Sequence, residues 1–218
     1  MPARWKTTTW IVRRQSMAVP GREQVRAAVL RYVELPGARF LRALGFTANA
    51  VTLLGFGISV VAAYLVGSGW LVAGGIVFLL GGALDLMDGA LARLTGTASP
   101  FGALLDSVFD RLGEAALFAG LAVYAIREVS ESRQLFFITV VLAALIFSQV
   151  VSYLRARGEG LGAFTRAGLM TRTERVILLG VGLLVQQIEW FLLVIAVVSC
   201  ITLWQRMFAI RDLLNKGG

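Results

Sequence analysis

Four aspartates, Asp85, Asp88, Asp106 and Asp110, stand mid-chain in a sequence that is otherwise poor in charge. Asp85, Asp88, Gly89 and Ala92 are spaced i, i+3, i+4, i+7, and Gly102, Asp106 and Asp110 are spaced i, i+4, i+8, so each set shares one helical face. Asp85 lies eight residues before Arg93 and Asp110 eight after Gly102. At 1.5 Å per residue, each is about 12 Å below the turn that joins the two helices. Antiparallel helices would therefore set the two pairs at matching depth and gather four carboxylates. Such charges repel strongly unless a cation sits among them. They form the ligand set for a two-metal centre of hard divalent ions. The chain has no histidine, which removes imidazole ligands, Ser-His catalysis and the usual near-neutral proton shuttle. Its one cysteine, Cys200, can form no intramolecular disulfide, so a metal would be held by oxygen, which favours magnesium, manganese or calcium.

The elements that must position these groups are apolar. Of 218 residues, 57% are hydrophobic and 16% charged, with a mean hydropathy of +0.76. Soluble domains are about half apolar and a quarter charged, so the composition is that of a membrane protein. The net charge of +8 then serves topology and anionic headgroups, and no nucleic-acid partner is expected. Residues 1–22 read as a polar N-terminal extension without an apolar core. Residues 23–45 mix valines and leucines with arginines and predict an interfacial amphipathic helix, broken near Pro36.

Six apolar segments follow, at 48–67, 70–93, 102–126, 135–157, 174–187 and 189–209. Most match the thickness of a bilayer core, and the fifth is short. They predict an all-α polytopic fold, with a six-helix transmembrane catalytic domain over 46–210 and a cytoplasmic tail over 211–218. Nineteen of the 21 basic residues lie at the termini or around the 93–102 and 157–172 turns. The positive-inside rule then predicts a multi-pass protein of the cell membrane with its termini and active site cytoplasmic.

The full spacing is Asp85-x2-Asp88-Gly89-x2-Ala92-Arg93-x8-Gly102-x3-Asp106-x3-Asp110. It resembles the signature of the CDP-alcohol phosphotransferase family at every fixed position. The resemblance implies an enzyme that uses two divalent cations, Mg2+ or Mn2+, on Asp85, Asp88, Asp106 and Asp110. It further implies CDP-diacylglycerol as donor, bound by Gly89, Ala92, Arg93 and Gly102, with Asp110 as general base. Thr47-Ala48-Asn49-x2-Thr52-x2-Gly55 looks like the family's Thr-Pro-Asn-x2-Thr-x2-Gly stretch, with alanine for proline, and adds Thr52 to the nucleotide site. Homodimers are frequent in the family. Without the spacing, the small residues would read as helix-packing positions and Arg93 as an interface anchor.

Arginines at the inner ends of the last three spans predict a cationic pocket and a phosphorylated polyol as acceptor. The stretches Ser152-Tyr153-Leu154-Arg155-Ala156-Arg157-Gly158-Glu159 and Arg172-Thr173-Glu174-Arg175 resemble segments of phosphatidylinositol-phosphate synthases. That likeness implies an acceptor-phosphate site of Ser152, Arg155, Arg175 and Arg206, with Arg172 beside them. Inositol phosphate is the acceptor it favours, and glycerol 3-phosphate the alternative. Topology alone would also place arginines at these ends, and Glu174 could simply cap a helix behind Thr171 and Thr173. A cation transporter would explain intramembrane carboxylates, but not the fixed glycines, Ala92 and Arg93.

Overall fold

Glycine- and serine-bearing breaks between apolar runs divide the chain into seven α-helices among the described residues. The computed structural model describes residues 32, 34–165 and 167–217. In chain order the helices are α1 Leu35–Ala43, α2 Ala48–Gly67, α3 Leu71–Thr95, α4 Pro100–Glu128, α5 Glu131–Gly160, α6 Arg172–Leu184 and α7 Ile188–Gly217. The described part is all-helical. All six apolar segments fold as helices, and among the described residues four of them, α2, α3, α5 and α7, are long and apolar enough to cross a membrane. α4 is broken up by Asp106, Asp110, Arg111 and Glu114, while α6 has 13 residues, a rise of about 20 Å. Both helices that fall short carry buried ionisable groups, Glu114 on α4 and Arg175 on α6.

Local signals set the helix ends near the aspartates. Gly96 ends α3 in the left-handed region at φ 67°, a conformation glycine adopts at little cost. Three residues later the Ser99 hydroxyl accepts the Gly102 amide at 3.0 Å, and Pro100 occupies the first turn of α4. α6 starts on a capping box, in which the Thr171 amide donates to Glu174 Oε2 at 2.5 Å. That is the capping role open to Glu174 from its sequence position.

Pro36 lies in the first turn of α1, where its missing amide costs nothing, and so starts this helix. Most of the helix expected over 23–45, and all of the 1–22 extension, lie outside the described residues. The last helix runs on through the segment expected as a tail.

One packing feature departs from the expected pairing of the two aspartate helices. α3 and α4 scarcely touch each other; both pack along α2. Small residues allow these close approaches: a Cβ on Gly120 would collide with the Ala63 backbone, and one on Gly81 would press on the Gly55 carbonyl. An apolar core including Leu117, Leu121, Leu179, Leu183, Leu192 and Ile195 joins α4, α6 and α7. A second cluster of Ala38, Leu41, Val51, Ala90 and Leu91 fastens α1 over the end of α2 and α3 near the aspartates. α5 lies against α7 and α4, and α6 against α3 and α7. The outward faces carry large apolar side chains such as Tyr64, Leu135 and Trp190, as suits a lipid environment.

Candidate active site among α2, α3 and α4

The wedge between α3 and α4 holds a cavity of about 270 Å3. α2 contributes Thr52 to it; α3 contributes Asp88, Gly89, Ala92 and Arg93; and α4 contributes Gly102 and Asp106. The five residues read from the sequence as a nucleotide site therefore share one cavity with two of the aspartates. Gly89, Ala92 and Gly102 keep little or no side chain on the parts of the wall that they form. Arg93 stands at the rim with its side chain 62% exposed, 3.6 Å from Glu34 just before α1. Such an exposed pair is weakly held and leaves Arg93 free to exchange partners.

Three of the carboxylates, Asp85, Asp88 and Asp110, are held by side chains from other helices. Asp88 is 4% exposed and accepts the Thr52 hydroxyl at 2.6 Å. Asp85 lies against Gly55, where a Cβ would run into its Oδ1. Arg172, from the start of α6, bridges the two helices: Nη2 donates to Asp85 Oδ2 at 2.7 Å, and Nη1 lies 2.9 Å from Asp110 Oδ2. Asp88 and Asp106 face the same cavity.

Among the described residues, no three carboxylates form a tight metal-ligating group. Like charges separate unless a cation lies between them, and between Asp85 and Asp110 that cation is the Arg172 guanidinium. Arg172, expected at an acceptor phosphate, is thus placed among the aspartates. The donor set still suits a hard divalent ion. All four groups offer oxygen ligands, and Asp110 Oδ1 is buried without a hydrogen-bond partner among the described residues. A buried carboxylate oxygen of this kind calls for a cation or a donor.

Thr52 gives a direct test of these anchors. Thr52→Val keeps the shape of the side chain and removes the donor to a buried carboxylate, a loss of about 1–3 kcal/mol. A lowered unfolding temperature in detergent is the expected result; an unchanged one would show that Asp88 does not depend on this bond.

The remaining arginines divide into two groups. Arg175 is 1% exposed, with Nε and Nη2 paired to the two Glu114 oxygens at 2.7 and 3.0 Å and Nη2 also donating to Ser152 Oγ at 3.2 Å. Arg206 is 6% exposed, with Nε donating to the Ala167 carbonyl at 3.0 Å and Nη1 to the Val151 carbonyl at 2.9 Å. Ser152, Arg175 and Arg206 therefore converge on one stretch of α5. Arg155 stays apart, 61% exposed and paired with Glu159 one turn along the same helix.

Two residues gain weight that the sequence did not reveal. Arg111 donates to the Ser152 carbonyl at 3.4 Å. Glu114 was passed over, although it continues the i, i+4 series of Asp106 and Asp110. That repeat was the available signal.

Residues 46–210 match the profile of the CDP-alcohol phosphatidyltransferase family. The chain is 38% identical over 184 residues to the phosphatidylinositol phosphate synthase of Mycobacteroides abscessus, covering 81% of this chain and 82% of that protein. It is 34% identical over 195 residues to the archaetidylinositol phosphate synthase of Pyrococcus horikoshii, covering 89% and 98%. Among solved structures it resembles the Mycobacterium tuberculosis phosphatidylinositol phosphate synthase with CDP-DAG bound. There the TM-score is 0.73 at 34% identity, with 82% of this chain and 93% of that one covered. The same enzyme in complex with manganese and citrate gives a TM-score of 0.74 at 33% identity, covering 82% and 88%.

Proposed function

This chain belongs to the CDP-alcohol phosphatidyltransferase family, and from that premise we propose that it transfers the phosphatidyl group of CDP-diacylglycerol to inositol phosphate, releasing CMP. The observation that carries the reading is the shared cavity of Thr52, Gly89, Ala92, Arg93 and Gly102 with Asp88 and Asp106. The inositol phosphate synthases among its relatives support the acceptor.

In the mechanism, Asp85, Asp88, Asp106 and Asp110 would hold two divalent cations, Mg2+ or Mn2+. When bound, these supply positive charge to the diphosphate and to the departing CMP. Thr52 fixes Asp88 for that task, and the bare walls at Gly89, Ala92 and Gly102 admit the cytidine nucleotide. Arg93 exchanges Glu34 for a phosphate oxygen. Asp110 takes the proton of the acceptor hydroxyl as that oxygen bonds to the lipid-side phosphorus and the bond from phosphorus to the CMP oxygen breaks. Ser152, Arg175 and Arg206 receive the acceptor phosphate. Arg172, which bridges Asp85 and Asp110, and the exposed Arg155 assist at the acceptor phosphate.

The reading includes six spans, with α4 and α6 crossing under cover of their neighbours, and cytoplasmic termini and active site. It also includes a homodimer. A short α6 is compatible with a crossing, since bilayers thin locally around short helices.

The test is direct. Purified protein with labelled CDP-diacylglycerol and Mg2+ or Mn2+ is expected to give lipid product and CMP with inositol phosphate, and neither product in excess chelator. Product with glycerol 3-phosphate alone would move the acceptor to the other polyol. Transfer to neither, or full transfer in chelator, would overturn the proposal.

A further inference from the structure

Glu114 sits on α4 one helical turn beyond Asp110, on the same face. Its side chain and that of Arg175 are each 1% exposed, and the two meet through two parallel bonds of 2.7 and 3.0 Å. The helices behind them, α4 and α6, scarcely pack against each other. Besides the apolar core, two ion pairs cross from one helix to the other: Arg172 to Asp110, and one turn deeper Arg175 to Glu114. Ser152 from α5 accepts the second Nη2 proton, so three helices meet on one guanidinium. Nη1 has no hydrogen bond among the described residues, since the bonds found use Nε and Nη2.

We infer that Glu114 is the positioning residue of the acceptor site, locking the Arg175 guanidinium so that its Nη1 edge is held ready for the acceptor phosphate. The inference rests on the proposed function, in which Arg175 receives that phosphate. An arginine has many rotamers, and ordering it only when substrate arrives weakens binding. The bidentate carboxylate fixes the plane of the fork and both of its nearer donors. It also offsets the charge that Arg175 carries into a nearly dry interior, where an unpaired cation is costly. What remains for the acceptor is a directed pair of N–H donors. Asp110 and Glu114 then divide the labour along one helix face. The first acts on the acceptor hydroxyl, and the second acts, through Arg175, on its phosphate.

Glu114→Gln tests this, because the amide keeps the shape but loses the charge and one acceptor. The KM for inositol phosphate is expected to rise about 10- to 100-fold, the equivalent of one oriented charge-assisted bond. The KM for CDP-diacylglycerol should stay unchanged, and Glu114→Asp should recover part of the loss. An unchanged acceptor KM, or equal rises for both substrates, would overturn the role and leave the pair a structural staple.

Should Glu114→Gln fail to insert, the paired replacement Glu114→Met with Arg175→Met removes both charges at similar volume. Such exchanges are often tolerated. That variant is expected to bind CDP-diacylglycerol but not inositol phosphate by calorimetry, and retained acceptor binding would sink the inference. The wild type, measured alongside, separates the two levels. Absence of transfer to inositol phosphate there would refute the proposed function, whereas normal wild-type transfer with an unaffected variant would refute only the role of Glu114.

Discussion

Asp110→Asn is expected to yield a folded, membrane-inserted protein whose transfer rate falls by about 10²- to 10⁴-fold, the range that a general base supplies. The substitution is nearly isosteric. The asparagine carbonyl can still accept from Arg172 Nη1, which lies 2.9 Å from Asp110 Oδ2 in the native protein. The change therefore removes little from packing. It removes the basic oxygen and a negative charge, and the chain has no histidine to take the proton instead. Single-turnover CMP release in purified protein, with circular dichroism to show retained helix, is the measurement. A rate within a few-fold of wild type would transfer the base role elsewhere, and rescue by a large excess of Mn2+ would assign the loss to cation binding instead.

Gly55→Ala should be the second severe change, although it adds a single methyl. The new carbon would point into Asp85 Oδ1. That oxygen cannot move away freely, because the other oxygen of the same carboxylate is held by Arg172 at 2.7 Å. Asp85 must therefore shift. A displacement of about 1 Å at a reacting centre costs on the order of 10²-fold in rate. Weaker Mn2+ binding by calorimetry should accompany the drop. Gly57, two residues on, supplies the control, since a Cβ there meets nothing within 4 Å. Gly57→Ala should match wild type in both measurements. Equal behaviour of the two variants would show that Asp85 does not rely on the bare face of α2.

The helices were legible from the sequence because each signal was local. Apolar runs of bilayer length, Gly96 and the Ser99–Pro100 pair mark the ends of α3 and α4 without reference to anything distant. The grouping of Thr52, Gly89, Ala92, Arg93 and Gly102 was legible for a different reason, a spacing that matches a known signature. Side-chain partners depend on which helix faces which, and periodicity within a helix does not carry that. Thus Arg172 and Arg175, three residues apart on α6, were both assigned to the acceptor phosphate, yet one reaches two aspartates and the other Glu114. Arg155 was grouped with them by its motif, but points to Glu159 and solvent. Glu114 was hidden by its chemistry, since a carboxylate paired and sealed at 1% exposure looks no different in sequence from one on a surface. Contact between the aspartate helices was also overread. Their joining turn implied a hairpin, whereas the glycines of α2 draw each helix to itself.

That shared attachment has a mechanical consequence. Because α2 serves as the common datum for both aspartate-bearing helices, tilting it under lateral pressure or a change of lipid carries the two carboxylate pairs along as a rigid set. Common-mode displacement leaves the distances between the pairs intact, while differential displacement would have to break close-packed backbone approaches such as the one at Gly120 and Ala63. Close packing of both helices on α2 thus favours a fixed spacing between the two carboxylate pairs.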